Sequence, residues 1–514
     1  ENENEGENGD EEEAPEPVRI EMDGIKHRVR FLTDPKAGAH AMRIRPDSKT
    51  LVYSASHTGQ GNLWSVSLEE GKGGEPPKQL TSSSGGKGAV RFVKDGKRFY
   101  FLEAGRIHSC GMDEAGGREG DPKALNVRAE VEIDFHAEKM QAFDEAWRIM
   151  NENFYDAEFH GCDWDAARET FRAQVESART GDEFRELLNL MVGELNASHL
   201  GAGGGGGGAP DAFLEFERAE LEQHGRYRIS SVLPDSPVTF AEESAHIGEY
   251  LLSVDGISVG DGASLSERLQ RLAGRRVTLV LADEPTSDDR REIIVKPVGG
   301  GRHSELRYRG WVRGNADYVH DKSGGRLGYA HVSQMSYPAY MRFIADLDAE
   351  SHSREGIVVD VRFNGGGHIA PFILDVLARK AYTLSSLRGH YEAPDTNLAG
   401  NRIIEKPLIL ITNEHSGSNT EMFSEGFRRL ALGKIVGKPT AGAVIWTWGW
   451  QLLDGTSFRL PRMRVGTLDG ENLEGNARPV DVDVDRPLGE AVRGVDSQLD
   501  TAVQELLSQI DSDG

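Results

Sequence analysis

The chain has 514 residues, of which 38% are hydrophobic, and its formal net charge at neutral pH is −25. This length is enough for roughly three or four domains. The negative charge argues against a nucleic-acid-binding protein, because phosphates bind to basic surfaces. No run of about 18 or more apolar residues occurs, so the sequence predicts no membrane span.

The amino-terminal segment, residues 1–16, is rich in Glu and lacks apolar periodicity, which predicts a disordered acidic tail. The two cysteines, Cys110 and Cys162, fall in different predicted regions and imply neither a disulfide framework nor a metal site. We recognise no signal peptide. Because the chain starts at Glu1, it is compatible with a fragment, and export of the parent protein stays an open alternative.

Residues 17–130 are predicted to form β structure with a loose internal repeat. Residues 45–53 (RPDSKTLVY) recur as residues 93–101 (VKDGKRFYF), and each copy is a turn that leads into a short strand. A period of about 40–50 residues with several strands per unit is typical of β-propeller blades. Two blades cannot close a ring, so we predict partial blades; a small irregular sheet domain is the alternative.

Residues 131–202 change to helical periodicity, and three helices are predicted there. The region ends in the pair Ser198-His199. Residues 203–210 follow as a glycine-rich linker; they lack the Gly-Lys-Ser/Thr sequence of a phosphate-binding loop.

Residues 211–300 are predicted to form a separate unit of short strands and one helix. Asp255-Gly256 marks a hairpin turn between apolar strands. The run from Gly248 to Gly256 resembles that of PDZ domains, which bind extended peptides by strand addition. The alternative is a spacer with the same fold that binds nothing.

Residues 301–514 alternate apolar strands with helices, which predicts a layered α/β domain. A buried strand at 407–412 leads into the polar turn 413–421 (NEHSGSNTE), and a helical pattern follows. Such a turn exposes a serine hydroxyl beside the N–H groups of a helix start, so Ser418 is a candidate nucleophile. Simple capping of the helix by Ser416, Ser418 or Thr420 is the alternative.

Three further stretches could complete a catalytic site. The run 362–367 (RFNGGG) leaves a strand, and its glycines would let backbone N–H groups approach an oxyanion. His199 is a candidate base, and Glu474 is a candidate carboxylate. Read singly, each stretch has an ordinary alternative: a strand-to-helix turn, a structural histidine and a solvated loop acid.

Together these segments resemble the tricorn protease family, and the resemblance covers nearly the whole chain. It implies a multidomain α+β protein: partial β-propeller blades, a helical bundle domain, a PDZ-like domain and an α/β sandwich with a core like that of tail-specific proteases and crotonases. The stretches that carry the resemblance are 143–148 (FDEAWR), 153–156 (NFYD), 160–164 (HGCDW), 195–199 (LNASH) and 360–367 (DVRFNGGG).

The resemblance implies a serine peptidase that cuts unfolded proteins or oligopeptides. Ser418 would be the nucleophile and His199 the general base, with Ser198 and Glu474 orienting the histidine; Glu471 is the fallback for the carboxylate. The backbone N–H groups of Gly366 and Asn419 would form the oxyanion hole. The resemblance further implies a homo-oligomer, a hexamer in this family, a cytoplasmic location and no cofactor.

Predicted substrate-contacting residues are Gly365, Gly367, Thr383 and Ser385. The family's acidic residue for basic substrate side chains should fall between Thr383 and Gly389, where no acid occurs. A neutral pocket that prefers apolar or small side chains is therefore expected. The family's nucleophile turn usually reads Gly-Ser-Asp-Gly, whereas this chain has Asn419-Thr420 after Ser418.

Two other functions are weighed against this one. Tail-specific proteases share the PDZ and α/β parts and use a Ser-Lys pair, but the spacing from Ser418 places their lysine at Ala443. Lys434 and Lys438 are near but displaced, so histidine is the better base. A non-catalytic peptide-binding module is the second alternative, because the turn after Ser418 departs from the family pattern.

Overall fold

The structure is a computed structural model of the chain. It describes residues 21–29, 31–33, 38–57, 60–69, 76–128, 130, 132–204, 212–213, 216–221, 225–239, 241, 243–260, 264–394 and 403–513. The predicted acidic tail and residues 205–210 of the predicted linker lie outside these residues. The chain divides into two compact units, 1–132 and 133–514.

The first unit contains a 3-10 helix, Ile25–Arg28, and two four-stranded antiparallel sheets. The two repeated segments supply the second strand of each sheet, and their turns are built alike. The N–H of Lys49 donates to Asp47 Oδ1 at 3.0 Å, and that of Lys97 donates to Asp95 Oδ1 at 2.9 Å. Assignment of the sheets to propeller blades stays a prediction. The strands are β1 (His40–Ile44), β2 (Thr50–Ala55), β3 (Asn62–Ser67), β4 (Lys78–Gln79), β5 (Lys87–Phe92), β6 (Arg98–Glu103), β7 (Arg106–Met112) and β8 (Arg118–Ala124).

Three helices open the second unit, as predicted: α1 (Phe135–Asn153), α2 (Trp164–Ser177) and α3 (Gly181–Gly193), with a 3-10 turn at Phe159–Gly161. Each helix begins at a side-chain cap, from Asp134, Asp163 and Thr180 respectively. A short strand, β9 (Gly201–Gly203), follows, so Gly203 at the start of the predicted linker belongs to a sheet.

The next region forms an antiparallel sheet of six strands, a separate antiparallel pair and one short helix around its own core. The predicted hairpin turn is confirmed: Asp255 and Gly256 have positive φ angles of 49° and 76° and join two paired strands. The PDZ assignment stays a prediction. The elements are β10 (Ala212–Phe213), β11 (Phe216–Leu221), β12 (Tyr227–Val232), β13 (Tyr250–Val254), β14 (Ile257–Ser258), α4 (Leu265–Leu269), β15 (Val277–Ala282), β16 (Arg291–Val295) and β17 (Val298–Gly299).

The last region is a three-layer α/β domain around a parallel sheet with the strand order β18-β19-β22-β23-β26. Helices α6, α7 and α8 pack on one face, and α5 and α9 pack on the other. The elements are α5 (Gly300–Lys322), β18 (Leu327–His331), α6 (Tyr337–Ser351), β19 (Gly356–Asp360), α7 (Ala370–Leu377), β20 (Leu384–Ser386), β21 (Glu392–Pro394), β22 (Leu408–Thr412), α8 (Asn419–Arg429), β23 (Gly433–Gly437), β24 (Ile445–Gln451), β25 (Ser457–Arg464), β26 (Val482–Asp483), a 3-10 turn at Ala491–Arg493 and α9 (Ser497–Asp513).

One hairpin of this domain joins the helical region. Strands β24 and β25 pair with each other, and β25 also pairs with β9. The side chains of Leu452, Phe458 and Leu460 are buried in the core of the three helices. The helical region and the α/β domain therefore share a sheet and a core, which brings the segment around His199 to the edge of the parallel sheet.

Among the described residues, none of the helices combines the length and the apolar character that a membrane crossing requires.

Candidate active site

Two turns meet at the carboxyl edge of the parallel sheet, one after β19 and one after β22, because neighbouring parallel strands end at the same edge. Ser418 ends the second turn at the N-cap of α8, with φ 57° and ψ −123°. A non-glycine residue with positive φ is strained and must be held by its surroundings. Ser416 fixes the turn, because its Oγ donates to the carbonyl oxygen of Val361 at 2.9 Å. Ser416 therefore ties the turn to the neighbouring strand instead of capping the helix.

Glu421 stabilises the same turn, although no role for it was predicted from the sequence. Its buried carboxylate accepts hydrogen bonds from the N–H groups of Ser418, Gly442 and Ala443 at 2.7–3.0 Å and from Thr440 Oγ1 at 2.6 Å. Burial raises the pKa of Glu421, and these four donors oppose the rise. A Glu three residues after a serine at a helix start is the capping-box pattern, which could have identified it.

A continuous chain of hydrogen bonds runs from Ser418 to Glu474. His199 Nε2 lies 3.0 Å from Ser418 Oγ, and His199 Nδ1 lies 2.6 Å from Ser198 Oγ. The Oγ of Ser198 donates to Glu474 Oε2 at 2.9 Å, and the N–H of Ser198 donates to Glu474 Oε1 at 2.7 Å. The N–H of Val444 completes the carboxylate's partners at 2.7 Å. All four predicted residues are thus brought together.

The donors and acceptors in this series of hydrogen bonds determine which atom carries each proton. Ser198 has a single hydroxyl proton, which Glu474 accepts, so Ser198 Oγ must accept the Nδ1 proton of His199. Nε2 of His199 is then unprotonated and accepts the hydroxyl proton of Ser418. This is the tautomer that a general base needs.

A second histidine of the helical region, His160, binds the backbone just before Ser198 and His199. His160 Nδ1 lies 2.9 Å from the carbonyl oxygen of Leu195, and His160 Nε2 lies 2.5 Å from the hydroxyl of Tyr155. Burial and then the charge of Glu474 raise the pKa of Tyr155 to about 12, which keeps its hydroxyl protonated. The loop that carries Ser198 and His199 is therefore attached at Leu195 to the helical region.

The glycine turn after β19 lies directly against Ser418. A Cβ added to Gly366 would lie 2.6 Å from Ser418 Cβ and 2.9 Å from the Asn419 nitrogen, so only glycine fits at this position. The N–H of Gly366, predicted to bind an oxyanion, donates to Asn364 Oδ1 at 3.0 Å in this structure. The amide of Asn419 belongs to the first turn of α8, where N–H groups lack intrahelical acceptors.

Comparison with known proteins gives consistent matches. Residues 135–193 match the family model of the tricorn protease C1 domain, and residues 326–485 match that of peptidase family S41. The chain is 32% identical to tricorn protease homolog 1 of Streptomyces coelicolor over 438 residues, which are 81% of this chain and 40% of the relative. It is 29% identical to the tricorn protease of Thermoplasma volcanium over 507 residues, or 94% of this chain and 46% of the relative. The chain thus spans less than half the length of these relatives.

A solved structure, described as the crystal structure of the tricorn protease, has the same fold. It aligns with a TM-score of 0.76 and 23% identity over 90% of this chain and 46% of that chain. The match to the tricorn C1 domain, residues 135–193, precedes the match to peptidase family S41, residues 326–485, as the resemblance in the sequence predicts. The chain belongs to the tricorn protease family.

The turn after Ser418 departs from the usual tricorn pattern, and its two unusual residues are both buried. Asn419 Oδ1 accepts a hydrogen bond from the N–H of Ala370 at 2.9 Å and so caps α7. Thr420 Oγ1 has no hydrogen-bond partner in the part of the chain that the structure describes. The Asn419 side chain therefore stabilises the start of α7. The buried hydroxyl of Thr420 lacks a hydrogen bond among the described residues that would offset its burial.

The other predicted residues of this tricorn relative lie as follows. Glu471, the fallback carboxylate, pairs with Arg478 at 3.1 Å instead of reaching Ser198. Gly365 is exposed, and Gly367 forms a bridge with Met335. Thr383 and Ser385 lie beside and within the small hairpin β20–β21.

The lysines that a Ser-Lys mechanism would need are bonded elsewhere. Lys434 Nζ lies 2.7 Å from Glu505, and Lys438 Nζ lies 2.6 Å from Asp483. Ala443, at the position expected for the lysine, contacts the nucleophile turn through its backbone: its carbonyl oxygen accepts the N–H of Ser418 at 3.0 Å. Within the described ranges, no group of three or more His, Cys, Asp or Glu side chains is arranged to hold a metal ion.

Proposed function

We propose that the chain carries a serine-peptidase site that hydrolyses peptide bonds of unfolded proteins or oligopeptides. The observation that supports it most is the hydrogen-bond chain from Glu474 through Ser198 and His199 to Ser418. A free serine is a weak nucleophile and needs a base within hydrogen-bond reach, as His199 Nε2 is. The strained backbone at Ser418 aims the hydroxyl out of the turn.

In the proposed reaction, Ser418 Oγ attacks the scissile carbonyl carbon while its proton passes to His199 Nε2. The imidazolium that forms is stabilised through Ser198 by the carboxylate of Glu474. His199 then gives this proton to the leaving amine. A water molecule deacylates Ser418 by the reverse route, with His199 again as the base.

The backbone N–H groups of Asn419 and Gly366 are the proposed oxyanion donors. The Asn419 amide lies at the positive end of α8, which favours a developing negative charge. Because Gly366 N–H donates to Asn364 Oδ1, it can reach an oxyanion only by sharing or releasing that bond. The Nδ2 of Asn364 donates to the carbonyl oxygen of Val332 at 2.8 Å, which holds this side chain in place.

The remaining regions take part in the proposal as follows. The PDZ-like region, 211–300, would present extended peptides by strand addition. A homo-oligomer is proposed from family membership.

Labelling by a fluorophosphonate probe tests the proposed nucleophile. We expect one equivalent of probe on Ser418, identified by peptide mass spectrometry, and loss of labelling in His199→Ala. A non-catalytic peptide-binding module is the second candidate, because Gly366 N–H is engaged and Thr420 Oγ1 lacks a partner among the described residues. Peptide binding without any labelling of Ser418 would favour that candidate.

The pH dependence of peptide hydrolysis should follow the titration of His199. Burial, and then the charge of Arg459, lowers the pKa of His199 from the ordinary value of 6.5, and Glu474 opposes this. The base must be neutral, so activity is lost as pH falls through the pKa of His199. We expect the acidic limb of kcat/KM below pH 6.5 and a shift of this limb to higher pH in Arg459→Gln. A limb above that value in the wild-type protein would contradict the assignment.

A further inference from the structure

The strand beside His199 carries three arginines without an acidic partner. Arg459, Arg462 and Arg464 lie in β25, and none of them forms an ion pair with any residue that the structure describes. Asp and Glu outnumber Lys and Arg by 84 to 59 in this chain, so acidic partners are not scarce. The guanidinium of Arg462 lies 5.7 Å from the ring centroid of Trp448, and Arg464 donates to the carbonyl oxygen of Gly470 at 2.8 Å.

Arg459 is exposed and has a glycine opposite it on each neighbouring strand. In the sheet β24-β25-β9, it lies opposite Gly449 on one side and Gly201 on the other. A Cβ added to Gly449 would meet no atom within 4 Å, so this face is open. Arg459 Nε donates to Thr447 Oγ1 at 3.3 Å, and its other N–H groups have no acceptor in the described ranges. The outer edge of the guanidinium is therefore free.

The same face adjoins the candidate catalytic residues. Gly201 follows His199 by two residues, and β24 begins directly after Val444, whose N–H donates to Glu474. In the register of this sheet Arg459 pairs with Gly201, two residues after His199, and its positive charge lowers the pKa of that imidazole. Arg459 therefore lies one strand away from the segment that carries His199, on an exposed face of this sheet.

We propose that Arg459 forms a subsite for a carboxylate of the bound peptide, so that this chain selects acidic peptides. The proposal rests on the serine-peptidase function proposed above. A guanidinium offers two parallel N–H groups, which match a carboxylate in a bidentate pair, and the flanking glycines leave room for it. The segment 383–389, where the family's acidic residue was expected, carries no acid and has one exposed cation, Arg388.

The carboxylate could belong to an acidic side chain or to the carboxyl terminus of the peptide, and the experiment separates the two. In full-length Ser418→Ala, which needs no catalysis, binding of Ala/Ser-based heptapeptides is measured by fluorescence anisotropy. One Glu or one Gln is moved through each position, and every peptide is made with a free and with an amidated carboxyl terminus.

We expect one of two results: a Glu peptide binds about tenfold more tightly than its Gln partner at one position, or the free carboxyl terminus binds about tenfold more tightly than the amidated one. This is the size expected for a partly exposed charged pair. Adding Arg459→Gln should bring this ratio close to one, and Arg459→Lys should retain part of it. Arg462→Gln is the matched control, because it removes the same charge from the same strand and should leave the ratio unchanged.

Two results would overturn the proposal. One is equal affinity of each carboxylate peptide and its neutral partner at every position and at the carboxyl terminus. The other is a preference for the carboxylate that survives Arg459→Gln but is lost in Arg388→Gln. Neither depends on catalysis. Failure of fluorophosphonate labelling would overturn the peptidase function while leaving the binding ratio measurable, so the two failures can be told apart.

Discussion

His199→Ala is expected to lower kcat/KM for peptide hydrolysis by about a thousandfold or more, and Ser418→Ala by at least as much. Without the imidazole, no group among the described residues that hydrogen-bonds to Ser418 Oγ can take its proton at neutral pH. The remaining rate would come from the oxyanion donors and from substrate binding. Steady-state cleavage of a peptide library, read by mass spectrometry of the products, measures the loss.

The double variant provides the sharper test, because residues that act as one unit are not additive. We expect His199→Ala with Ser418→Ala to be little slower than the worse single variant. His415→Ala is the matched control: this exposed imidazole lies in the same turn and stacks on Phe363 at 5.6 Å, with no place in the proposed proton path. Unchanged turnover in both single variants would end the proposal.

Arg362→Met is expected to destabilise the 133–514 unit by about 3–5 kcal/mol, because it removes the arginine partner of the buried Asp360 and leaves Asp496 with Arg486, at 3.4 Å, as its arginine partner. The Arg362 guanidinium is fully buried and bonds Asp360 at 2.7–3.1 Å and Asp496 at 2.9–3.1 Å. It also donates to Gln498 at 3.1 Å. Chemical denaturation followed by circular dichroism and tryptophan fluorescence measures the change, since the Trp311 ring lies 6.0 Å from this guanidinium.

Arg326→Met is the control for this variant. Arg326 also bonds two carboxylates, those of Glu355 and Asp511, but all three side chains are in contact with solvent. Water can replace its bonds, so a much smaller loss is expected. Equal stabilities of Arg362→Met and the wild-type chain would show that the buried carboxylates are accommodated in another way.

Local patterns in the sequence predicted the elements that form within short segments. The apolar run before Asn413, the small polar turn and the helical spacing after Ser418 correspond to β22, the turn and α8. The same holds for the three helices ending before Ser198 and for the hairpin at Asp255-Gly256. The long helix α5 was not predicted, since few of its residues are buried and its sequence is largely polar.

Contacts between distant segments could not be predicted in this way. Nothing local distinguishes Glu474 from Glu471, yet only the former reaches Ser198, while the latter pairs with Arg478. The hairpin β24–β25 has ordinary alternation, and its docking on the helices follows from Phe458 and Leu460 filling their core.

By itself, the sequence determined the strand, the turn and the helix that carry Ser418, because backbone geometry and apolar periodicity act over a few residues. Only the tertiary structure decided which histidine and which carboxylate are connected to Ser418 by hydrogen bonds. His199 and Ser418 are 219 residues apart, and Ser198 and Glu474 are 276 apart. Such pairs meet because the shared sheet and core bring the helical region onto the α/β domain, and burial of those apolar side chains is a property of the whole fold.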